Sequence, residues 1–406
     1  MRIDPFPMER TQSMYENQVE FNLSESGVLP LRLREVLEGA EEPGPFAELS
    51  LKYPPSNGSE RLRDRIALFY GDATRDNVLV TAGGSKANYV TFWALLEKGD
   101  RVACMLPNYM QAWGLARAYG GSADPYRLVE RSEGGAARWA LDVESLERAV
   151  TKKTRIILVT NPNNPTGGVL TEDEMDAIVR AARRANAWIV ADEIYRGAEI
   201  DGPMSPTFWG RHDKVLITSG LSKAFGLPGL RIGWVLGPAK TIAKFWSYQD
   251  YTTLTPTAVS DHLASIVMEP ARRDSVLART RAILRKNLPR LEGWIRTHDD
   301  ILSYVRPVAG AITLVRYHLP ISSAALFEKL RLERSVLIMP GAHFGIGKYL
   351  RIGYGYDLDY TLRGLARVDL TLEELRDGRA AGRPRAVAAR RAPARERKTA
   401  AARARA

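Results

Sequence analysis

The 406-residue chain has one cysteine, five histidines and no apolar run near the roughly 20 residues that a membrane helix needs. The single cysteine, Cys104, excludes an internal disulfide and a thiolate-ligated metal site, and its apolar surroundings predict a buried thiol. The histidines lack the spacing of metal ligands, so we expect no metal. The first ten residues lack the apolar segment of a secretory signal. We therefore expect a cytoplasmic protein with no membrane partner.

Net charge is also small over most of the chain. The net charge is +11, but residues 376–406 hold eleven Lys and Arg against two acidic residues. This Ala/Arg/Pro-rich tail has no apolar period and is predicted to be disordered. Because the rest of the chain is nearly neutral, we expect no specific nucleic-acid partner.

Short β-branched runs alternate with helical patterns along the first 275 residues, which predicts an α/β fold with a mostly parallel sheet flanked by helices. The predicted strands are residues 77–81, 101–106, 155–160, 188–193, 215–220 and 232–237. A long basic helix from Arg279 to His298 and short strands then predict a smaller α+β domain. We predict four parts: an amino-terminal arm that joins the small domain (1–45), a large cofactor-binding domain (46–275), the small domain (276–375) and the tail (376–406).

Polar loops follow four of these strands, at the sheet edge where open α/β folds bind ligands. Residues 82–86, AGGSK, precede a helix and predict an anion cradle suited to a phosphate. Residues 161–167, NPNNPTG, form a rigid loop whose Asn side chains can donate into the cleft. Asp192 ends a strand, and a buried carboxylate there needs a cationic partner.

Lys223 lies in the fourth loop, within SGLSKAFGLPGLRIG (219–233). Apolar and small neighbours predict a partly desolvated amine with a lowered pKa, suited to Schiff-base chemistry. Arg231, eight residues later, can supply a second phosphate contact. The nearest run to a nucleotide-binding P-loop, residues 341–349, has wrong glycine spacing and no hydroxyl after its lysine.

The order of these motifs, NPNNPTG, DEIY (192–195) and SGLSKAFGLPGLRIG, resembles the aspartate aminotransferase superfamily from about Phe21 to Leu375. These are fold type I pyridoxal 5'-phosphate (PLP) enzymes of aminotransferase class I/II. The resemblance implies that Lys223 binds PLP as a Schiff base and moves a proton between the substrate α-carbon and the cofactor. It implies that Asp192 keeps the pyridine nitrogen protonated.

The resemblance also implies the remaining cofactor contacts. Tyr195 and Asn164 match the residues that hydrogen-bond the phenolic oxygen of PLP. Tyr109 matches an aromatic ring that stacks on the pyridine. The implied phosphate site consists of Gly84, Ser85 and Arg231.

Substrate binding and assembly are implied in the same way. Arg351, in YLRIG, resembles the arginine that binds the substrate α-carboxylate, with Gly27 and Asn164 beside it. Tyr53 resembles a tyrosine that reaches the phosphate site of the neighbouring subunit, which implies a homodimer with shared active sites. The implied reaction transfers an amino group from an L-amino acid to a 2-oxo acid in two ping-pong half reactions.

Two departures from the family pattern bear on this prediction. A serine often precedes the lysine by three residues, but here that position is Gly220, and the hydroxyl that replaces it is left open. The loop of residues 22–28 lacks the usual acidic-proline segment. That loop, the GLPGLRIGW segment (226–234) and residues 250–254 also resemble a subgroup that includes capreomycidine synthase, which eliminates and cyclises on an arginine derivative.

An alternative function follows from this subgroup. It is a PLP-dependent oxidase, or an eliminating or cyclising enzyme, that acts on arginine or an arginine derivative. Glu25 is then a candidate to receive a basic substrate side chain. A PLP-binding regulator is disfavoured because no helix-turn-helix pattern precedes the fold.

Overall fold

The computed structural model describes residues 3–38 and 46–378. In chain order its strands are β1 (Phe21–Asn22), β2 (Val78–Thr81), β3 (Arg101–Leu106), β4 (Ser122–Glu133), β5 (Ala136–Leu141), β6 (Thr154–Thr160), β7 (Trp188–Asp192), β8 (Val215–Gly220), β9 (Gly233–Leu236), β10 (Leu302–Tyr304), β11 (Ile312–Tyr317), β12 (Val336–Leu337), β13 (Met339–Pro340) and β14 (Tyr349–Gly353).

The α-helices alternate with these strands over the first half of the chain. They are α1 (Pro7–Tyr15), α2 (Leu33–Leu37), α3 (Glu60–Ala67), α4 (Gly84–Leu95), α5 (Gln111–Ala118), α6 (Val143–Ala149), α7 (Glu172–Ala185), α8 (Ala239–Gln249), α9 (Ala258–Val267), α10 (Pro270–Arg296), α11 (Ser323–Arg334) and α12 (Leu358–Arg376). None of them combines the length and apolar character that crossing a lipid bilayer requires.

The central sheet has eight strands in the spatial order β2-β9-β8-β7-β6-β3-β4-β5. Pairing is parallel from β8 through β7, β6 and β3 to β4, and antiparallel at both ends. This confirms the predicted α/β fold and mostly parallel sheet. The six predicted strands are β2, β3, β6, β7, β8 and β9, each correct to within one residue per end.

Both faces of this sheet are buried, as its near-continuous apolar strands require. Along β6, Ile156 and Leu158 face one core, and Ile157 and Val159 face the other. Cys104 on β3 lies in the first of these cores, and burial raises the pKa of its thiol far above the ordinary range. The thiol is therefore buried as predicted, and unreactive.

The hairpin of β4 and β5 was not predicted from the sequence. β4 reads SADPYRLVERSE, which is polar and contains Pro125, so it lacks a strand pattern. Its first half pairs with the buried strand β3, from Ser122 to Arg127, and its second half pairs with β5. Tertiary pairing therefore overrides a weak local propensity.

A second, antiparallel sheet has the order β10-β11-β14-β13, and β1 pairs in parallel with β12. The predicted basic helix is α10, which begins nine residues earlier than expected. Pro270 is its first residue, and the Glu269 carboxylate caps it by accepting from the Arg272 amide at 3.0 Å. The predicted boundary between residues 275 and 276 lies inside this helix.

The predicted tail begins one helix residue too early. Arg376 ends α12 and donates to Asp300 at 2.8 Å. Asp377 and Gly378 follow the helix, and the rest of the tail prediction falls on residues 379–406, which lie outside the described residues. The domain division stays a prediction.

Candidate active site

The loops after β2, β6, β7 and β8 meet at one edge of the central sheet. Parallel pairing aligns Thr160 with Asp192 and Asp192 with Thr218, so the carboxyl ends of these strands lie side by side. They border a cavity of about 530 Å³. Eight predicted site residues line it, namely Gly84, Ser85, Tyr109, Asn164, Asp192, Tyr195, Lys223 and Arg231.

Asp192 is the last residue of β7, and its carboxylate borders the cavity. It accepts hydrogen bonds from Asn88 Nδ2 and the Ile194 amide, both at 3.1 Å. Within the described ranges it forms no ion pair, and burial raises its pKa to about 6 despite these two bonds. A cationic group in the cavity would therefore complete its environment.

Asn88 was not singled out in the sequence. It lies on α4, accepts from the Thr218 hydroxyl at 2.7 Å and thereby fixes the amide that holds Asp192. Its position one helical turn after Gly84 is the only signal that the sequence offered. Asn88 thus orients the carboxylate from a different element.

Lys223 contacts a carboxylate that the sequence did not pair with it. Its Nζ lies 2.8 Å from Glu25 Oε1. Burial favours the neutral amine, but the charge of Glu25 and the nearby Tyr195 outweigh that effect and raise the pKa of Lys223. The predicted lowering of this pKa is therefore wrong, because the sequence did not reveal the opposing charge.

The anion cradle is built by close backbone approach. Gly83 has a φ of 93°, and a Cβ there would lie 2.4 Å from Arg231 Nη2. The amino terminus of α4 faces the same cavity at Gly84 and Ser85. Arg231 Nη1 donates to Pro228 O at 3.1 Å and to Ser222 Oγ at 3.3 Å. Helix amides and a guanidinium therefore converge on one place.

Packing explains why residue 220 is a glycine, at the position where the family often has a serine. Gly220 pairs with Gly233 across β8 and β9, and a Cβ at residue 220 would lie 2.7 Å from Ile232 O. A serine there would clash with backbone. Ser219 bonds the Glu193 carbonyl at 3.2 Å, whereas Ser222 borders the cavity beside Arg231. Ser222 is the better placed substitute hydroxyl.

Arg351 does not border the cavity directly but contacts a residue that does. It lies on β14, is 1% exposed, and its Nη1 donates to Asn164 Oδ1 at 3.1 Å. Its Nη2 donates to Ser24 O, while Nε has no partner within the described part of the chain. No carboxylate of those residues forms an ion pair with it. This buried cation is suited to a carboxylate ligand.

Tyr195 lies near Lys223 and Arg351, and Gly27 lies against the Lys223 side chain. The Tyr195 hydroxyl is buried and lacks a partner among the described residues. Gly27 packs tightly, since a Cβ there would lie 3.3 Å from Ser222 O and 3.7 Å from Lys223 Cδ. Tyr53, in contrast, is 81% exposed and does not reach the cavity of its own chain.

Helix α1 covers part of the cavity, which the sequence did not indicate. Its residues Met8, Glu9 and Gln12 line the cavity together with Phe6. Glu9 Oε1 accepts from the Tyr109 hydroxyl at 2.7 Å, and the Phe6 ring packs edge-on against Tyr109 at 4.8 Å. Pro7 at the first helical position was a possible helix signal, but its docking depends on distant residues.

A lysine, a buried carboxylate and an anion cradle around one cavity define the class of a PLP-dependent enzyme of fold type I. The chain belongs to the aminotransferase class I and II family, whose profile matches residues 31–368. Its cofactor is PLP, in agreement with the predicted family and cofactor.

Three similar proteins illustrate the relationship. Capreomycidine synthase from Streptomyces vinaceus is 29% identical over 335 residues, which cover 82% of this chain and 84% of that protein. Aspartate aminotransferase from Streptomyces avermitilis is 28% identical over 349 residues, 80% of this chain and 83% of that protein. A PLP-dependent aminotransferase from Streptococcus suis has a TM-score of 0.85 at 27% identity, covering 92% of this chain and 99% of the other.

The residues around the cavity fit PLP. Asp192 lacks a cation, the Tyr195 hydroxyl lacks a partner, and Gly83 leaves open a cradle beside Arg231 that a side chain would fill. These three features match three groups of the cofactor. Asp192 suits the ring nitrogen, the Tyr195 hydroxyl suits the phenolic oxygen, and the cradle suits the phosphate. The described residues contain no cluster of acidic, His or Cys side chains suited to a metal ion.

Proposed function

We propose that the protein is an aminotransferase that moves an amino group from an L-amino acid to a 2-oxo acid. The observation that carries this proposal is the buried Arg351, which contacts Asn164 at the cavity but has no carboxylate partner among the described residues. An amino acid and its 2-oxo acid both carry an α-carboxylate. This group matches the Arg351 guanidinium in each half reaction.

Different side chains of the protein contact different groups of the cofactor. PLP, when bound, supplies an aldehyde that condenses with amines and a ring that withdraws electrons from the substrate α-carbon. Asp192 keeps a proton on the ring nitrogen. Asn164 Oδ1 is occupied by Arg351, which leaves its amide group to donate into the cavity with the Tyr195 hydroxyl. Arg231 and the first amides of α4 hold the phosphate.

Lys223 and Arg351 act on the substrate. Arg351 binds the α-carboxylate through its fork of donors, which fixes the α-hydrogen toward Lys223. The Lys223 Nζ anchors the cofactor between turnovers and removes and holds the α-proton during them. Gly27 allows the backbone of its loop to approach the lysine chain closely.

We also propose a homodimer with shared sites. Tyr53, Leu51 and Tyr251 are 81%, 78% and 83% exposed, which is unusual for side chains of this size and character. A two-fold dimer would cover them and bring Tyr53 to the phosphate cradle of the partner.

The pairing of β1 with β12 supports a small domain formed by residues 1–45 and 276–375.

A second candidate is an oxidase or an eliminating or cyclising enzyme acting on arginine or an arginine derivative. Identity to capreomycidine synthase and the carboxylate of Glu25 in the cavity support this alternative. The two candidates share Lys223 and Arg351 and differ in what receives the electrons of the substrate.

The test is a product assay with a panel of amino acids and 2-oxo acids, using wild type and Arg351→Gln. We expect wild type to form a new amino acid from the 2-oxo acid. Loss of the charged donor should lower kcat/KM about 100-fold, since such hydrogen bonds contribute about 1.5–3 kcal/mol.

The matched control is Arg316→Gln, an exposed arginine on the neighbouring strand β11, which should retain wild-type rates. The proposal would be contradicted if donors were consumed but no amino acid formed from any 2-oxo acid.

A further inference from the structure

Glu25 is held in place by its own loop. Its Oε1 accepts from the amides of Ser26 and Gly27 at 2.8 and 2.9 Å, and the same oxygen contacts Lys223 Nζ at 2.8 Å. Gln12 Nε2 of α1 approaches Oε2 at 3.4 Å. Two backbone bonds fix the carboxylate whether or not the lysine amine is present. The position of the Glu25 carboxylate beside Lys223 is therefore set by the backbone of its loop.

The charges that face Lys223 come from three elements. Glu25 approaches from the loop after β1, Tyr195 from the loop after β7, and Arg351 from β14. Among the described residues, Glu25 is the only acid that forms an ion pair with the lysine. Tyr195 raises the pKa of Lys223, and the positive charge of Arg351 lowers it.

Groups farther from the amine act on Glu25 or on its neighbours. Tyr356 lies near both members of the pair, and Glu9 is bonded to Tyr109 instead. The positive charge of Lys223 is the main reason that the pKa of Glu25 falls to about 2, so this carboxylate is ionised at neutral pH.

We propose that Glu25 is the anionic partner of Lys223 and stabilises its protonated nitrogen, both when the amine is free and when it is linked to the cofactor. This inference rests on the proposed part of Lys223 in anchoring PLP. A fixed anion 2.8 Å away makes the nitrogen bind its proton more tightly. The free amine therefore becomes a stronger base toward the α-hydrogen and holds the proton longer.

This use of Glu25 differs from the reception of a basic substrate side chain. In that case the carboxylate would matter only when such a substrate is bound. A partner of Lys223 must instead affect the resting holoenzyme, before any amino acid is added.

The test is a pH titration of the absorbance of the resting holoenzyme, without substrate, for wild type and Glu25→Gln. The midpoint for loss of the proton from the Lys223 linkage should fall by about one pH unit or more, a tenfold change in proton affinity. The amide oxygen of Gln can still accept from Ser26 and Gly27, so the loop should persist. Cofactor content per subunit checks this.

Two further variants sharpen the result. Glu25→Asp keeps the charge and should restore most of the wild-type midpoint. Glu9→Gln removes a carboxylate from the same cavity that is bonded to Tyr109, and should shift the midpoint by only a few tenths of a pH unit.

An unchanged midpoint in Glu25→Gln, or an equal shift in Glu9→Gln, would overturn the proposal. Lys223→Ala separates this failure from failure of the proposed anchoring. If Lys223→Ala kept the absorbance of a lysine-linked cofactor, both proposals would fall. If it lost that absorbance while Glu25→Gln titrated like wild type, only the Glu25 proposal would fail.

Discussion

At the scale of single residues, the site combines predictable loops with contacts that cross the chain. Asp192 ends β7, and Asn164, Tyr195 and Lys223 lie in loops after strands. Their shared edge of the sheet could therefore be predicted from the strand pattern. Glu25 lies 198 residues from Lys223 in sequence, and no local pattern links them. The direction of the shift in the Lys223 pKa could therefore not be predicted from the sequence.

Asp192 provides a residue-scale prediction for the cofactor-free protein. Its pKa rises from an ordinary 3.8 to about 6 on burial, so its ionisation costs the folded state stability as pH rises through this interval. Asp192→Asn lacks the charge. In denaturant unfolding of the cofactor-free protein, the free energy of unfolding of this variant relative to wild type should rise by about 2 kcal/mol between pH 4 and pH 7.

The same variant should lose turnover with bound PLP, by about 100-fold or more, because the ring nitrogen loses its anionic partner. Asp176→Asn, at a half-exposed carboxylate on α7, serves as a control that should change neither property. A stability difference that did not vary with pH would contradict the buried charge at residue 192.

At the scale of elements, strands buried on both faces were predictable and elements defined by their partners were not. β6 and β8 contain the apolar runs IILV and VLI. β4 is polar, and β14, which carries Arg351, is a five-residue strand whose pairing with β11 could not be read from its sequence. Helix α1 borders the cavity, where Glu9 contacts Tyr109 and Gln12 contacts Glu25, and its own sequence does not specify these partners.

At the scale of the whole molecule, the exposed Tyr53 predicts active sites completed across a dimer. Light scattering should give twice the 45.2 kDa chain mass. Tyr53→Ala and Lys223→Ala should each be impaired alone. Co-expressed, they should recover activity, because one site of the mixed dimer then has an intact Lys223 and an intact Tyr53 from the other subunit.

Absence of recovery in a mixture shown to contain mixed dimers would contradict the sharing of sites. A monomeric mass with full activity would contradict the dimer itself. The fold would stand in either case, since it depends on the central sheet and its two buried faces.

We propose that the site moves an amino group and does not divert the substrate electrons. The decisive test adds amino acids, arginine included, to the purified holoenzyme in air without a 2-oxo acid, while absorbance, ammonia and dioxygen are followed. We predict one turnover to the amino form of the cofactor, reversed by a 2-oxo acid, with neither ammonia release nor dioxygen loss. Sustained ammonia release without an acceptor would contradict the claim and favour the oxidising or eliminating alternative.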